Sequence, residues 1–456
     1  MATRVRARAR RLISRYRGAA SSHVHTVVVS LSAPGVGGRP GTNVITRGEV
    51  NIVSTPPSAV DESAASAVAP TAEESSRFRP DVQGLRALAV TLVILAHAGV
   101  AYCAGGFIGV DVFFVISGFV ITQSLVAFGP GHLASHLSTF YGRRIRRIVP
   151  AASLTLIATV LVAYVALRHD FPALLLGDVR WASLFAENFR LSATSANYFI
   201  PGVTPSLVTQ FWSLGVEEQF YVVYPVIFLG TMALTTQRLR PLALRLLLVV
   251  GVVASAWWSW HATTSAPISS YYSPFTRFWE LALGGLVALA PTSWRCRSRV
   301  LAIVISLIAL GVLGVALVRL NNNSVYPGVL AWWPCAAAAG LLWSGERAVA
   351  GGPYSWLSWR PVRYVGDISY SLYLFHYVWL ILPLYLSTRA PSGISRVIEV
   401  AGTVLCAVVS YHVIENPIRR SSRLRHDKVA TATLLVICVV ATWDVTLLVS
   451  RILGPH

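Results

Sequence analysis

Residues 301–318 read LAIVISLIALGVLGVALV, an unbroken run without a charge. As a helix, such a run nearly spans the hydrocarbon of a bilayer, which needs about 20 mostly apolar residues. A helix that is apolar all round cannot face water on any side. This stretch anchors a span over roughly 300–318, and ten others share its character. They lie near 86–104, 107–128, 149–167, 211–234, 242–261, 275–291, 326–344, 367–388, 396–415 and 430–449. The whole chain agrees: of 456 residues 54% are hydrophobic and only 12% are charged, against about 25% charged in soluble domains. The fold class is therefore all-α, a polytopic membrane helix bundle of about 11 transmembrane helices, with a short turn joining the first two into a hairpin. Segment 171–192 breaks the pattern with Asp178, Arg180, Glu187 and Arg190. Its Leu175, Trp181, Leu184, Phe185 and Phe189 fall near one helical face, which predicts an interfacial helix.

The formal net charge is +19, and of the 38 basic residues all but Lys428 are arginine. In a soluble chain this would suggest nucleic acid, but the distribution says otherwise. Arginine and lysine concentrate in cytoplasmic loops. With the N-terminus inside, 30 of the 38 fall on the cytoplasmic side. Without residues 1–86, the inner side still holds 18 against 8 outside: Arg168, Arg180, Arg190, Arg277, Arg319, Arg389, Arg396 and Arg451. Topology accounts for the charge, so no nucleic-acid partner is expected. Residues 1–77 have an arginine-rich start and a Ser/Ala/Pro-rich second half without sustained apolar period, which predicts a disordered cytoplasmic tail. The core then covers 78–420, and 421–456 adds one more transmembrane helix.

Ionisable residues inside spans are costly and mark candidate sites. The first span runs from Arg86 to His97. Eleven steps of 100° come within 20° of three full turns, so both side chains share one face, about 16 Å apart along the axis. Asp111 opens the second span, where a carboxylate can approach and orient His97. Ser117-Gly118 fits a small-residue helix contact. The run Tyr141-Gly-Arg143-Arg144-Ile-Arg146-Arg147 is either a plain positive-inside signal or a cradle for phosphates. Glu217 and Glu218 are adjacent, point about 100° apart and so serve different partners. Glu280, Tyr370, Tyr373, His376 and His412 are further polar residues in or beside spans. A hydrogen-bonded structural role suits the tyrosines and His412 at least as well as a chemical one. The five cysteines, at 103, 296, 335, 406 and 438, form no CxxC pair. No GxSxG, P-loop or HExxH occurs, and His132 with His136 lacks a third ligand, so no metal is expected.

Seven blocks taken together resemble a known family: FRPDVQGLRALAV…H (78–97), GGFIGVDVFFVISGFVIT (105–122), FYGRRIRRIVPA (140–151), FWSLGVEEQFYVVYP (211–225), RFWELALGG (277–285), GDISYSLYLFH (366–376) and SYHVIENPIRR (410–420). In this order they look like the integral membrane acyltransferase type-three family of bacterial O-acyltransferases. Members of that family modify lipopolysaccharide, capsule, peptidoglycan and macrolide sugars. The resemblance implies a ten-helix acyltransferase core in the plasma membrane, here followed by an extra helix. It implies acyl-CoA, commonly acetyl-CoA, as the donor and a sugar-bearing molecule as the acceptor. His97 would be the catalytic histidine, with Asp111, Glu217 and Glu218 as further catalytic candidates. Arg86, Arg144 and Arg147 would bind the donor; Ser117, Gly118, Tyr370 and His376 also fall on motif positions. Many relatives carry a hydrolase-like domain after the last span. Here the sequence ends soon after the eleventh span, so either the membrane domain acts alone or a separate extracytoplasmic partner completes the transfer. A transporter or flippase, or a non-catalytic scaffold, is the rival reading.

Overall fold

The structure is a computed structural model that describes residues 79–128, 132–194, 205–294, 296, 298–345, 353–387 and 391–454. The expected tail over 1–77 lies outside these residues, as do Arg295, Arg297, Arg347 and Arg389 from the charge count. Among the described residues every regular element is helical. Seven helices are long and apolar enough to cross a membrane: Ala104–Val126, Leu133–Leu167, Arg240–Ser265, Arg299–Arg319, Ser369–Leu386, Gly393–Arg420 and Lys428–Leu453. The chain is a polytopic helical membrane protein. Their lipid-facing residues stay apolar and uncovered, as with Val253, Leu307 and Val436.

In chain order the helices are α1 (Pro80–His97), α2 (Gly109–Val126), α3 (Leu133–Leu167), α4 (Ala173–Ser183), α5 (Glu187–Ala193), α6 (Phe211–Leu234), α7 (Arg240–Ser265), α8 (Pro267–Tyr272) and α9 (Phe278–Ala288). Then follow α10 (Arg299–Arg319), α11 (Trp332–Gly345), α12 (Pro353–Leu357), α13 (Arg360–Asp367), α14 (Ser369–Leu386), α15 (Gly393–Ser410), α16 (Asn416–Arg420), α17 (Ser422–His426) and α18 (Lys428–Leu453). A π-turn, Tyr411–Glu415, joins α15 to α16. Four expected spans are absent from the set of seven. Helices α1 and α6 are long enough but carry Asp81 and Arg86, or Glu217 and Glu218. Helices α9 and α11 have 11 and 14 residues, short of the roughly 17 that a span needs. Segment 171–192, expected to be interfacial, forms two short helices, α4 and α5, broken where Phe185 takes a φ of 53°.

Three packing features position the site. First, α2 and α9 pack backbone to backbone. A Cβ on Gly118 would sit 1.8 Å from the Leu281 carbonyl oxygen, and one on Gly284 would sit 1.9 Å from that of Val115. Gly118 thus makes the small-residue contact its neighbours suggested. Second, α3 has 35 residues, about 52 Å of helix against roughly 30 Å of hydrocarbon. Its arginine-bearing N-terminal part therefore extends past the apolar core. Third, α18 runs along α3. It is pinned by Trp443 Nε1–H to Ser183 Oγ at 3.0 Å and by Arg180 Nε–H to Thr446 Oγ1 at 2.9 Å.

Candidate active site

One face of α1 meets one face of α14. Arg86 Nε donates to Ser369 Oγ at 3.2 Å. Further along, the His97 ring lies 5.1 Å from that of His376 and 5.2 Å from that of Tyr377. Ser369 and His376 are seven residues apart, within 20° of two full turns, so the two stripes run side by side. The shared face inferred for Arg86 and His97 is real, and its partner is α14.

Both histidines have their tautomers set by their own helices. His97 Nδ1–H donates to the Val93 carbonyl at 2.9 Å, and His376 Nδ1–H donates to that of Tyr373 at 2.6 Å. A carbonyl only accepts, so Nε2 is left as the basic nitrogen of each neutral ring. His376 is fully buried, and its Nε2 has no hydrogen-bond partner among the described residues.

A cavity opens beside this stripe, lined by Arg86, Arg144, Arg147, Ser117, Glu217 and Glu218 among others. Its wall follows α2 from Val120 to Val110, ten residues or about 15 Å. Glu217 Oε1 accepts from the hydroxyls of both Ser117 and Tyr221. The Arg144 guanidinium lies over the Tyr221 ring at 4.7 Å and over Phe140 at 5.5 Å. Tyr373 closes one side of the cavity, with its hydroxyl paired to Ser213 Oγ at 2.6 Å. Behind it the rings continue: Tyr373 to His376 at 5.2 Å, then His376 to His97. The cavity and His97 are thus separated by one aromatic layer. His97 itself is half-buried and is followed by the exposed turn after α1.

Asp111 departs from expectation. At the third position of α2 it turns toward α9, where Arg277 holds its Oδ1 at 2.8 Å. It is committed to that guanidinium rather than to orienting His97; the ring beside His97 is His376. Arg277 also binds Glu280 Oε1 at 3.1 Å and sits against Trp212, Tyr271 and Tyr326. All three charged groups are buried. Asp111, Glu280 and Cys335 each bring a ligand atom within 4.8 Å of the others. The guanidinium already supplies the cation there, so the cluster is an internal ion-pair knot linking α2 to α9. Tyr370 is likewise structural in its contacts, donating to the Ile148 carbonyl at 2.9 Å.

Sequence reading missed two groups. Arg277 was one basic residue among eight outside, because its partner Asp111 is 166 residues away. The cations of α16 to α18 were read only as loop charge, yet Arg419, Arg425 and Lys428 line a second cavity with the arginines of α3.

A family model described as an acyltransferase domain matches residues 79–414. The chain is 30% identical over 374 residues to the peptidoglycan O-acetyltransferase OatA of Listeria monocytogenes, covering 78% of this chain and 58% of that protein. It is 32% identical over 359 residues to the putative peptidoglycan O-acetyltransferase YrhL of Bacillus subtilis, covering 75% and 55%. It is 30% identical over 360 residues to the O-acetyltransferase OatA of Staphylococcus aureus, covering 76% and 58%. The matched region thus spans little more than half the length of these relatives. No solved structure matches the chain.

Proposed function

The chain belongs to the acyltransferase-domain family, and on that premise we propose that it is a membrane-embedded O-acyltransferase of the plasma membrane. It moves an acetyl group from acetyl-CoA to a sugar hydroxyl of a cell-envelope glycan. The printed names of its relatives favour peptidoglycan as that glycan. One observation carries the reading: an arginine-lined cavity leads along α2 to an aromatic layer with two Nε2-basic histidines behind it.

In this mechanism Arg86, Arg144 and Arg147 draw the anionic donor to one end of the cavity, since guanidinium forks suit phosphate oxygens. The uncharged arm carries the thioester along the cavity toward His97. Gly109, beside the cavity's Val110 end, packs on Ala89 and Val93 of α1, which leaves the last turn before His97 for the thioester to cross. His97 Nε2 takes the proton of the acceptor hydroxyl as the alkoxide oxygen attacks the thioester carbonyl. Collapse of the tetrahedral adduct breaks the C–S bond. The leaving thiolate receives the proton from the imidazolium, so the ring returns neutral. His376 is a positioning residue that supports His97 from α14. Glu217 and Glu218 set the polarity of the cavity wall. A soluble extracytoplasmic partner can carry the acetyl group further, but the first transfer needs only these helices.

The test uses the full chain purified into nanodiscs, labelled acetyl-CoA and glycan acceptors. Wild type forms an acetyl ester; His97→Ala inserts and melts normally but loses about 10²-fold or more of the rate. A transporter would leave no covalent product. Full transfer by a well-folded His97→Ala protein would sink the histidine mechanism.

A further inference from the structure

The second cavity offers a site that the catalytic reading has not used. It lies at the end of the bundle where α3 meets the α16–α18 segment. From α3 it takes Arg143, Arg144, Arg146 and Arg147; from the opposite wall come Arg419, Arg425 and Lys428. No carboxylate is among its described lining residues. Seven cations around one concavity repel one another and focus a positive field. Helix α18 adds to this, because Lys428 is its first residue and a helix N-terminus is already positive. An anion with several charges relieves both.

The wall is built rather than incidental. Arg146 Nη1–H donates to the Leu424 carbonyl at 3.0 Å, tying α17 to α3. Ser421 Oγ caps α17 and Asp427 Oδ1 caps α18 at 2.9 Å, which fixes where the chain turns. Val120, Arg144 and Arg147 line both cavities, so they form the neck between bowl and inner cavity. Past that neck stand Glu217 and Glu218 with Arg86, so the excess of positive charge lies at the neck and on the bowl side: phosphates are held there, while an uncharged arm can pass.

We propose that this bowl binds the phosphorylated nucleotide end of coenzyme A, with Arg419, Arg425 and Lys428 holding its phosphates. The α16–α18 segment then supplies one wall of the donor site, with Lys428 contributed by the extra C-terminal helix. This rests on the acyl-donor reading above and extends it to residues outside the catalytic stripe. The bowl also fits the chemistry of an anionic lipid headgroup, and the experiment separates the two sources.

The full chain in phosphatidylcholine nanodiscs is titrated with coenzyme A, its 3′-dephospho form and pantetheine. Wild type should bind coenzyme A most tightly, the dephospho form more weakly and pantetheine weakest. The combined R419Q/R425Q/K428Q variant should lose about tenfold or more in coenzyme A affinity, with pantetheine binding unmoved. Arg425→Gln and Lys428→Gln alone should give graded losses if the triple variant does not fold. Equal wild-type affinity for coenzyme A and pantetheine, or an unmoved variant, overturns the proposal. So does phosphatidylglycerol in the discs competing with coenzyme A at these residues while no nucleotide preference exists in its absence. Phosphate-dependent binding without any acetyl transfer would sink the enzyme reading and leave this site standing. Acetyl transfer with variant-insensitive binding would do the reverse.

Discussion

Two groups of charges lie within the same bundle and behave in opposite ways. Around Arg277 every charge meets a protein partner: Asp111 at 2.8 Å, Glu280 at 3.1 Å, and three aromatic rings. No space is left. Around Arg86, Arg144 and Arg147 the charges surround a cavity, and their nearest polar neighbours leave room for a guest. Both groups break the rule that membrane helices avoid ionisable residues. Only the second has an open face where a ligand can complete the charge balance. An ionisable residue in a span thus raises suspicion of function, and the void beside it decides between chemistry and architecture.

The largest effect should come from breaking the closed group. Arg277→Ala leaves two carboxylates buried without their cation, a loss of about 3–5 kcal/mol. Thermal unfolding in detergent should show a large drop, with poor recovery of folded protein. Adding Asp111→Asn and Glu280→Gln should restore part of the loss, since the stranded charges are then gone. A stable, active Arg277→Ala protein would place this knot with the open group. The same kind of change in the open group should leave the fold intact. Arg144→Gln should melt close to wild type while raising the KM for acetyl-CoA about tenfold, one charge-assisted contact's worth. Equal melting losses in the two variants would erase the distinction.

The two groups also differed in how they could be read from sequence. Eleven steps place Arg86 and His97 on one face whatever the tertiary structure, because the geometry belongs to a single helix. The small-residue contact of Gly118 is similarly local in cause. The partners are not local. Asp111 meets Arg277 across 166 residues, and Arg146 meets the Leu424 carbonyl across 278. Pairing depends on how helices pack, which a single sequence does not encode residue by residue. Asp111 sits one turn from the hairpin that brings it near His97, which made that pairing reasonable. The guanidinium on α9's N-terminal side was the stronger partner. Helices α9 and α11 are shorter than their apolar runs because Pro291 follows α9 and Pro327 and Gly328 precede α11, and apolarity alone does not register such breaks. The basic cluster of α3 was legible as charge, but its second wall came from the segment after α15.

Glu187 sharpens the comparison from a third position, because it has neither arrangement. It begins α5, in the interfacial segment, and is fully buried. Neither carboxyl oxygen has a hydrogen-bond partner among the described residues. The nearby Arg190 is committed to Asp178 through a 2.5 Å contact. Burial, reinforced by the Asp178 charge and only partly opposed by Arg190, pushes the Glu187 carboxyl from 4.5 up to about 10. The sign follows from proton counting. Below pH 4.5 the folded and unfolded chains both hold the proton, and Glu187 contributes no pH dependence. Between 4.5 and about 10 the unfolded chain releases it and the folded chain keeps it. Fewer protons on the unfolded state mean that stability falls as pH rises through that window. Glu187→Gln removes the ionisable proton at nearly the same shape. Its melting temperature should match wild type near pH 4 and exceed it increasingly toward pH 8, by at least about 1 kcal/mol of stability there. Parallel melting curves across that range would mean that Glu187 is ionised in the fold and has a partner of its own, which would move it into the closed group.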